Sequence, residues 1–126
     1  MLNFFKKNKE LNLIYNSGVT LGLYSFHLKA FLGNDKIGNA YGDIESKGNF
    51  RLVKIDVYQD YRNNGYGNRM IEKLLAAARE DKCASFVFVG VSHSNTAAIR
   101  FYERLGAVRE AILDCHDKSN YVMTLN

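Results

Sequence analysis

The apolar residues of this chain change period at one place, and that place limits the folds open to it. From Phe50 to Val57 the β-branched residues Val53, Ile55 and Val57 recur at every second position, as in a strand. After it, Met70, Ile71, Leu74, Leu75 and Ala78 fall at the spacing of one helix face. Between them runs Tyr58-Gln-Asp-Tyr-Arg62-Asn-Asn-Gly65-Tyr-Gly67-Asn68. A strand that ends in glycines and opens a helix aims several backbone N–H groups at one spot, which also feels the positive end of the helix dipole. Glycine permits positive φ and lets backbone approach a ligand with no Cβ in the way. Residues 62–68 are therefore suited to hold a phosphate or pyrophosphate. The same pattern also serves as a plain exit from a strand.

The remaining pattern places that turn in a small α/β (α+β) domain. Residues 19–32 read as one strand with imperfect alternation, Ile37–Glu45 as a second and Phe50–Val57 as a third, with turns at 33–36 and 46–49. In the third, Arg51, Val53, Ile55 and Val57 share one face. A helix covers about 66–81, and the apolar run Ser85–Val91 reads as a strand buried on both faces. Ser94 or Asn95 caps a second helix over about 96–105, which Gly106 ends. Ala107–Cys115 and Tyr121–Leu125 form a closing pair. Leu11, Leu13 and Tyr15 alternate like a short strand, while Phe4 and Phe5 fit no element. The expected order is β-β-β-α-β-α-β-β: two helices on a mixed, mainly antiparallel sheet with one parallel step at the glycine turn. The 126 residues fit a single domain, 1–126.

Composition excludes several classes. With 47% hydrophobic and 24% charged residues the chain reads as globular. No apolar run has the length of a membrane span, and Met1-Leu-Asn-Phe-Phe-Lys-Lys lacks the pattern of a signal peptide. Two cysteines, Cys83 and Cys115, are too few for a disulfide framework, and with three scattered histidines they give no metal-ligand spacing. We expect no metal, free thiols and a reducing, cytoplasmic setting. The net charge of +4 suits an anionic ligand; it also permits weak attraction to nucleic acid, for which no motif is present.

A second segment, Asn95-Thr-Ala-Ala98-Ile-Arg-Phe101-Tyr102-Glu-Arg-Leu105-Gly106-Ala107, follows the Ser85–Val91 strand. Taken with Arg62-Asn-Asn-Gly65-Tyr-Gly67, it makes the chain resemble the GNAT family of acetyl-CoA-dependent N-acetyltransferases. The first segment matches that family's Gln/Arg-x-x-Gly-x-Gly/Ala signature, the second its Asn-x-x-Ala-x-x-Phe-Tyr-x-x-x-Gly-Phe pattern, in order, within a resemblance covering about residues 19–125.

The resemblance implies direct transfer of an acetyl group from acetyl-CoA to a primary amine in a ternary complex. It implies that the backbone N–H groups of Arg62, Asn63, Asn64, Gly65, Tyr66, Gly67 and Asn68 cradle the CoA pyrophosphate. The strand before this turn would splay from the Ser85–Val91 strand, with the pantetheine arm pairing with backbone around Val57. Asn95 would bond the arm or fix the helix cap. Tyr102 would protonate the departing thiolate; its competing reading is a core aromatic beside Ala98, Ile99 and Leu105.

Several positions depart from the family. Gln59 stands where a proline is common, and Asn63-Asn64 where Gly-Lys is common. No pair of helices is evident between the first two strands, although in the family these wall the acceptor site. Arg51 holds the position of a glutamate that serves some relatives as general base, leaving Asp43, Glu45, Asp56, His27 and His93 as candidates. The gap suggests a homodimer in which a second copy covers exposed apolar residues, among them Phe26, Leu28, Phe31 and Tyr121. The competing functional reading is a non-catalytic module that binds acyl-CoA or a protein partner.

Overall fold

The computed structural model describes residues 10–125. The readings made for Met1–Lys7, Phe4 and Phe5 included, lie outside the described residues. Strands β1 (Leu11–Thr20), β2 (Leu23–Leu32), β3 (Asp35–Ile44) and β4 (Asn49–Val57) lead through a 3-10 turn (Gln59–Tyr61) into helix α1 (Tyr66–Glu80). Then follow β5 (Ser85–Ser92), helix α2 (Thr96–Arg104), β6 (Val108–Ala111) and β7 (Lys118–Thr124). The seven strands form one sheet in the order β1-β2-β3-β4-β5-β7-β6, antiparallel except for the β4–β5 pair.

Three expectations about the strands need correction. Residues 19–32 are not one strand: Leu21 and Gly22 take left-handed backbone (φ 52 and 79) and reverse the chain, so β1 and β2 form a ten-pair hairpin. Leu-Gly was missed as a turn because leucine is a poor left-handed residue. The closing strand expected over 107–115 is confined to Val108–Ala111, since Asp114 turns left-handed (φ 60). Alternation in β4 breaks at Val53: Tyr41 of β3 faces Lys54 and Gly42 faces Leu52, so Val53 is bulged out of register. Leu52, Ile55 and Val57 therefore pack into the core while Val53 is 42% exposed, and the face predicted for Arg51, Val53, Ile55 and Val57 does not exist.

Both helices lie on one face of the sheet. Met70, Ile71, Leu74, Leu75 and Ala78 of α1 pack with Leu28, Ala40, Phe50 and Leu52, and Tyr102 of α2 joins the same core through Phe88. A stacked series of rings, Phe26, Phe50, Phe86, Phe88 and Tyr102, runs across it. Gly42 makes this possible: a Cβ there would collide with the Arg51 carbonyl oxygen and come within 2.7 Å of the Phe26 ring, so glycine lets that ring cross β3 to meet Phe50 (centroids 4.2 Å apart). Phe26, Leu28 and Tyr121, expected to be exposed, are buried under this layer. Across β2–β4 the opposite face carries no helix among the described residues, and there Tyr41 and Val53 are exposed.

Candidate functional site

β4 and β5 pair in parallel from Asn49↔Ser85 to Leu52↔Phe88 and then separate, although β4 continues to Val57 and β5 to Ser92. Each strand is irregular just past its last mutual pair: β4 at Val53, and β5 at Val89 and Gly90, where its register with β7 shifts. The result is a cleft whose closed end lies at Leu52 and Phe88 and whose mouth faces the 62–68 turn.

That turn is held by its own side chains. The Arg62 guanidinium folds back, its Nε donating to the Val57 carbonyl (2.6 Å) and its Nη2 to Asp56 Oδ1 (3.2 Å). Asn64 Nδ2 donates to the carbonyls of Tyr61 and Arg62, both at 3.1 Å. Gly65 caps α1 in left-handed backbone (φ 78), a conformation glycine adopts without cost. The helix's first backbone bond runs from Arg69 N–H to the Gly65 carbonyl (3.2 Å). The N–H groups of Gly65 through Asn68 thus lack helical partners, as at any helix start. Val57, Tyr61, Arg62, Asn63, Gly65, Tyr66, Gly67 and Asn68 line a pocket of about 330 Å³ around these donors. Donors, helix dipole and space together suit an anion.

Most of the expected ligand residues therefore meet in one place. Tyr61 joins them; it stands beside the motif in sequence but outside its pattern. Two details differ. The Arg62 N–H is taken by the Gln59 carbonyl (3.3 Å), so the free donors begin after it, and the Val57 carbonyl is engaged by Arg62 rather than open. Asn64 and Asn95 do not line the pocket: Asn64 braces the turn, and Asn95 Oδ1 caps α2 by accepting from Ala98 N–H (3.3 Å). Gly67 is helical, and a Cβ there would make only an ordinary contact with Val57 Cγ2 (3.7 Å).

Tyr102 is 7% exposed and stacked on Phe88, the β5 residue at the closed end of the cleft. Its hydroxyl has no hydrogen-bond partner among the described residues, yet it is not among the polar atoms sealed from solvent. Burial pushes the Tyr102 phenol above its ordinary range, so it stays protonated at neutral pH. The position is both core-like and open at its tip.

The candidate bases are mostly engaged elsewhere. Asp43 is ion-paired with Arg51 (3.0 Å), Asp56 with Arg62, and Glu45 accepts from Asn49 (3.0 Å). His27 lies on β2, separated from β4 by β3; burial, then Lys29 and Lys36, push its imidazole below the usual value. His93 Nε2 lies 2.8 Å from Ser119 Oγ, which also accepts from Arg109 Nε (3.0 Å). On the helix-free face, a cavity of about 700 Å³ includes Leu23, Ser25, Tyr41, Asp43, Arg51 and Val53 in its lining. Among the described residues no group of three His, Cys, Asp or Glu is placed to hold a metal ion, and no helix is long and apolar enough to cross a membrane.

Comparison with known proteins bears on this arrangement directly. The model of the acetyltransferase (GNAT) family matches residues 6–107. The chain belongs to the GNAT acetyltransferase family. A search of curated proteins gives no match. Among solved structures, the chain is similar to a Bacillus subtilis acetyltransferase in complex with CoA, at 13% identity and a TM-score of 0.76, covering 93% of this chain and 100% of that one. A GNAT family acetyltransferase from Elizabethkingia anophelis with acetyl-CoA bound gives 14% identity and a TM-score of 0.71, covering 90% and 99%. Ard1 from Thermoplasma volcanium gives 22% identity and a TM-score of 0.70, covering 79% and 70%. At these identities the likeness is one of fold.

Proposed function

We propose that this protein transfers an acetyl group from acetyl-CoA directly to a primary amine. The observation that carries the reading is the cleft between β4 and β5, with helix-start N–H donors at its mouth and Tyr102 beside its closed end. The relatives solved with CoA or acetyl-CoA support the same ligand.

In this reading the N–H groups of Asn63 and of Gly65 through Asn68 hold the pyrophosphate, and the free edges of β4 and β5 flank the pantetheine arm. From Val57 back to Val53 is about 13 Å of strand at ~3.3 Å per residue, a run that brings the thioester to the closed end. There it lies between Tyr102 on the helical face and the Val53 side of the cavity on the bare face. The amine enters from that cavity as the free base, and its nitrogen bonds to the thioester carbon. Backbone N–H groups of the cleft stabilise charge on the carbonyl oxygen. The carbon–sulfur bond breaks, sulfur takes the Tyr102 proton, and the amine's surplus proton passes to solvent. A phenol kept protonated by burial suits the role of acid. Asn95 acts as helix cap, as its hydrogen bond suggests. Free Cys83 and Cys115 fit a reducing, cytoplasmic setting.

We also infer that a second copy of the chain completes the acceptor side. Among the described residues, the two-residue β1–β2 turn leaves the cavity on the bare face unwalled, with Leu23, Tyr41 and Val53 exposed there. The function is tested by following free thiol released from acetyl-CoA across a panel of primary amines. Amine-dependent release supports it. Acetyl-CoA binding without release by any amine favours the binding-module alternative.

A further inference from the structure

Asn120 lies opposite the irregular stretch of β5. On β7, Tyr121 pairs with Phe88 and Ser119 with Val91, so Asn120 faces two residues, Val89 and Gly90. Gly90 is left-handed (φ 63), and its N–H donates to Asn120 Oδ1 at 2.9 Å. Because Gly90 N–H can only donate, the amide oxygen, not the nitrogen, must face it. Asn120 is itself anchored through its register with Glu110 of β6. A side-chain oxygen thus stands in for the ladder carbonyl that the bulge displaces.

The place of this bond in the sheet gives it meaning. Phe88 is the last β5 residue paired with β4, and the bulge begins at the next residue. Across the cleft, β4 bulges at Val53, immediately beyond Leu52, the partner of Phe88. Two bulges therefore flank the same pair, one on each wall. A bulge sharpens local twist and re-aims the strand edge. We propose that Asn120 is a positioning residue, holding the β5 wall turned open for the pantetheine arm of acetyl-CoA; this rests on the functional reading above. Without the Oδ1 acceptor, the part-buried Gly90 N–H loses its partner and β5 relaxes toward a regular ladder that narrows the cleft.

The test compares two ligands by titration calorimetry: acetyl-CoA, which has the arm, and adenosine 3′,5′-bisphosphate, which lacks it. Asn120→Leu is expected to weaken acetyl-CoA about tenfold, the scale of one lost hydrogen bond, and to leave the bisphosphate unchanged. Asn120→Asp keeps an oxygen acceptor and is expected to restore acetyl-CoA binding to within about twofold of wild type. Gly90→Ala is expected to act in the same sense: its Cβ meets nothing within 4 Å, so the substitution acts through backbone conformation alone. If Asn120→Leu does not fold, Asn120→Asp and Gly90→Ala decide the matter. Equal loss of both ligands, unchanged acetyl-CoA binding in Asn120→Leu or Gly90→Ala, or failure of Asn120→Asp to bind would overturn the proposal. Failure of the wild-type chain to bind acetyl-CoA would instead overturn the functional reading on which it rests.

Discussion

The rings of Phe88 and Tyr102 stack with centroids 3.8 Å apart and planes 14° from parallel. This one contact ties α2 to the residue at which β5 parts from β4. A packing contact and the proposed catalytic position therefore coincide at one side chain, which holds the helix by its ring and leaves its hydroxyl without a hydrogen-bond partner among the described residues.

Tyr102→Phe separates the two roles. Phenylalanine keeps the stack and removes the proton donor, so the fold and acetyl-CoA affinity should be retained. The turnover number should fall roughly 10²–10⁴-fold, the usual range for a general acid. Steady-state thiol release, with calorimetry for binding, checks this. Unchanged turnover would leave Tyr102 as a core aromatic.

Tyr15 shows what a phenol without a role costs. Its hydroxyl is sealed from solvent with no hydrogen-bond partner; Ser17 lies close enough to offset burial in part, without good hydrogen-bond geometry. Burial pushes its pKa from 10.0 up to about 12. Because the folded value is the higher, its contribution to stability is complete below pH 10 and is lost as pH rises through about 12. Tyr15→Phe should stabilise the protein by about 1 kcal/mol near neutral pH and weaken the decline in stability over that alkaline window. Chemical denaturation at neutral and alkaline pH measures both.

Gly42→Ala should destabilise strongly. The new methyl would meet the Arg51 carbonyl and the Phe26 ring, and neither the backbone nor the buried ring can move freely. Overpacking of this kind costs about 1–3 kcal/mol or more, read as a lower urea midpoint. Gly65→Ala meets no atom within 4 Å and should cost only the left-handed conformation, roughly 1 kcal/mol.

These glycines show how far the sequence could be read. The change of period at 57–70 marked the strand, turn and helix directly, because that signal is local. Gly106 as terminator and a cap at Ser94 or Asn95, which the structure gives to Asn95, were legible for the same reason. The bulge at Val53 was not: it depends on how β3 pairs with β4, and Val53, Ile55 and Val57 at every second position read as one regular face. Burial of Phe26, Leu28 and Tyr121 likewise follows from which sheet face both helices choose, a tertiary fact. The Arg62 N–H, which the resemblance implied as a ligand contact, is taken by the Gln59 carbonyl of the 3-10 turn, and its guanidinium reaches Val57 and Asp56 at the strand end, pairings that only the folded turn reveals.

The bare sheet face predicts self-association. Sedimentation velocity at micromolar concentration should show a dimer, and Tyr41→Glu or Val53→Glu should shift it to monomer by placing charge in the contact. A single monomeric species for the wild-type chain would remove the second copy from the acceptor site.

The most direct test of the account is a calorimetric titration of acetyl-CoA into the wild-type chain and into Gly67→Asp. Gly67 lines the pocket at the start of α1, so aspartate there puts a side chain and a negative charge against the pyrophosphate. The account predicts saturable binding to the wild type and affinity lower by at least tenfold, about 1.4 kcal/mol, in the variant, with its melting temperature kept. No binding to the wild type, or equal binding to both, would contradict it.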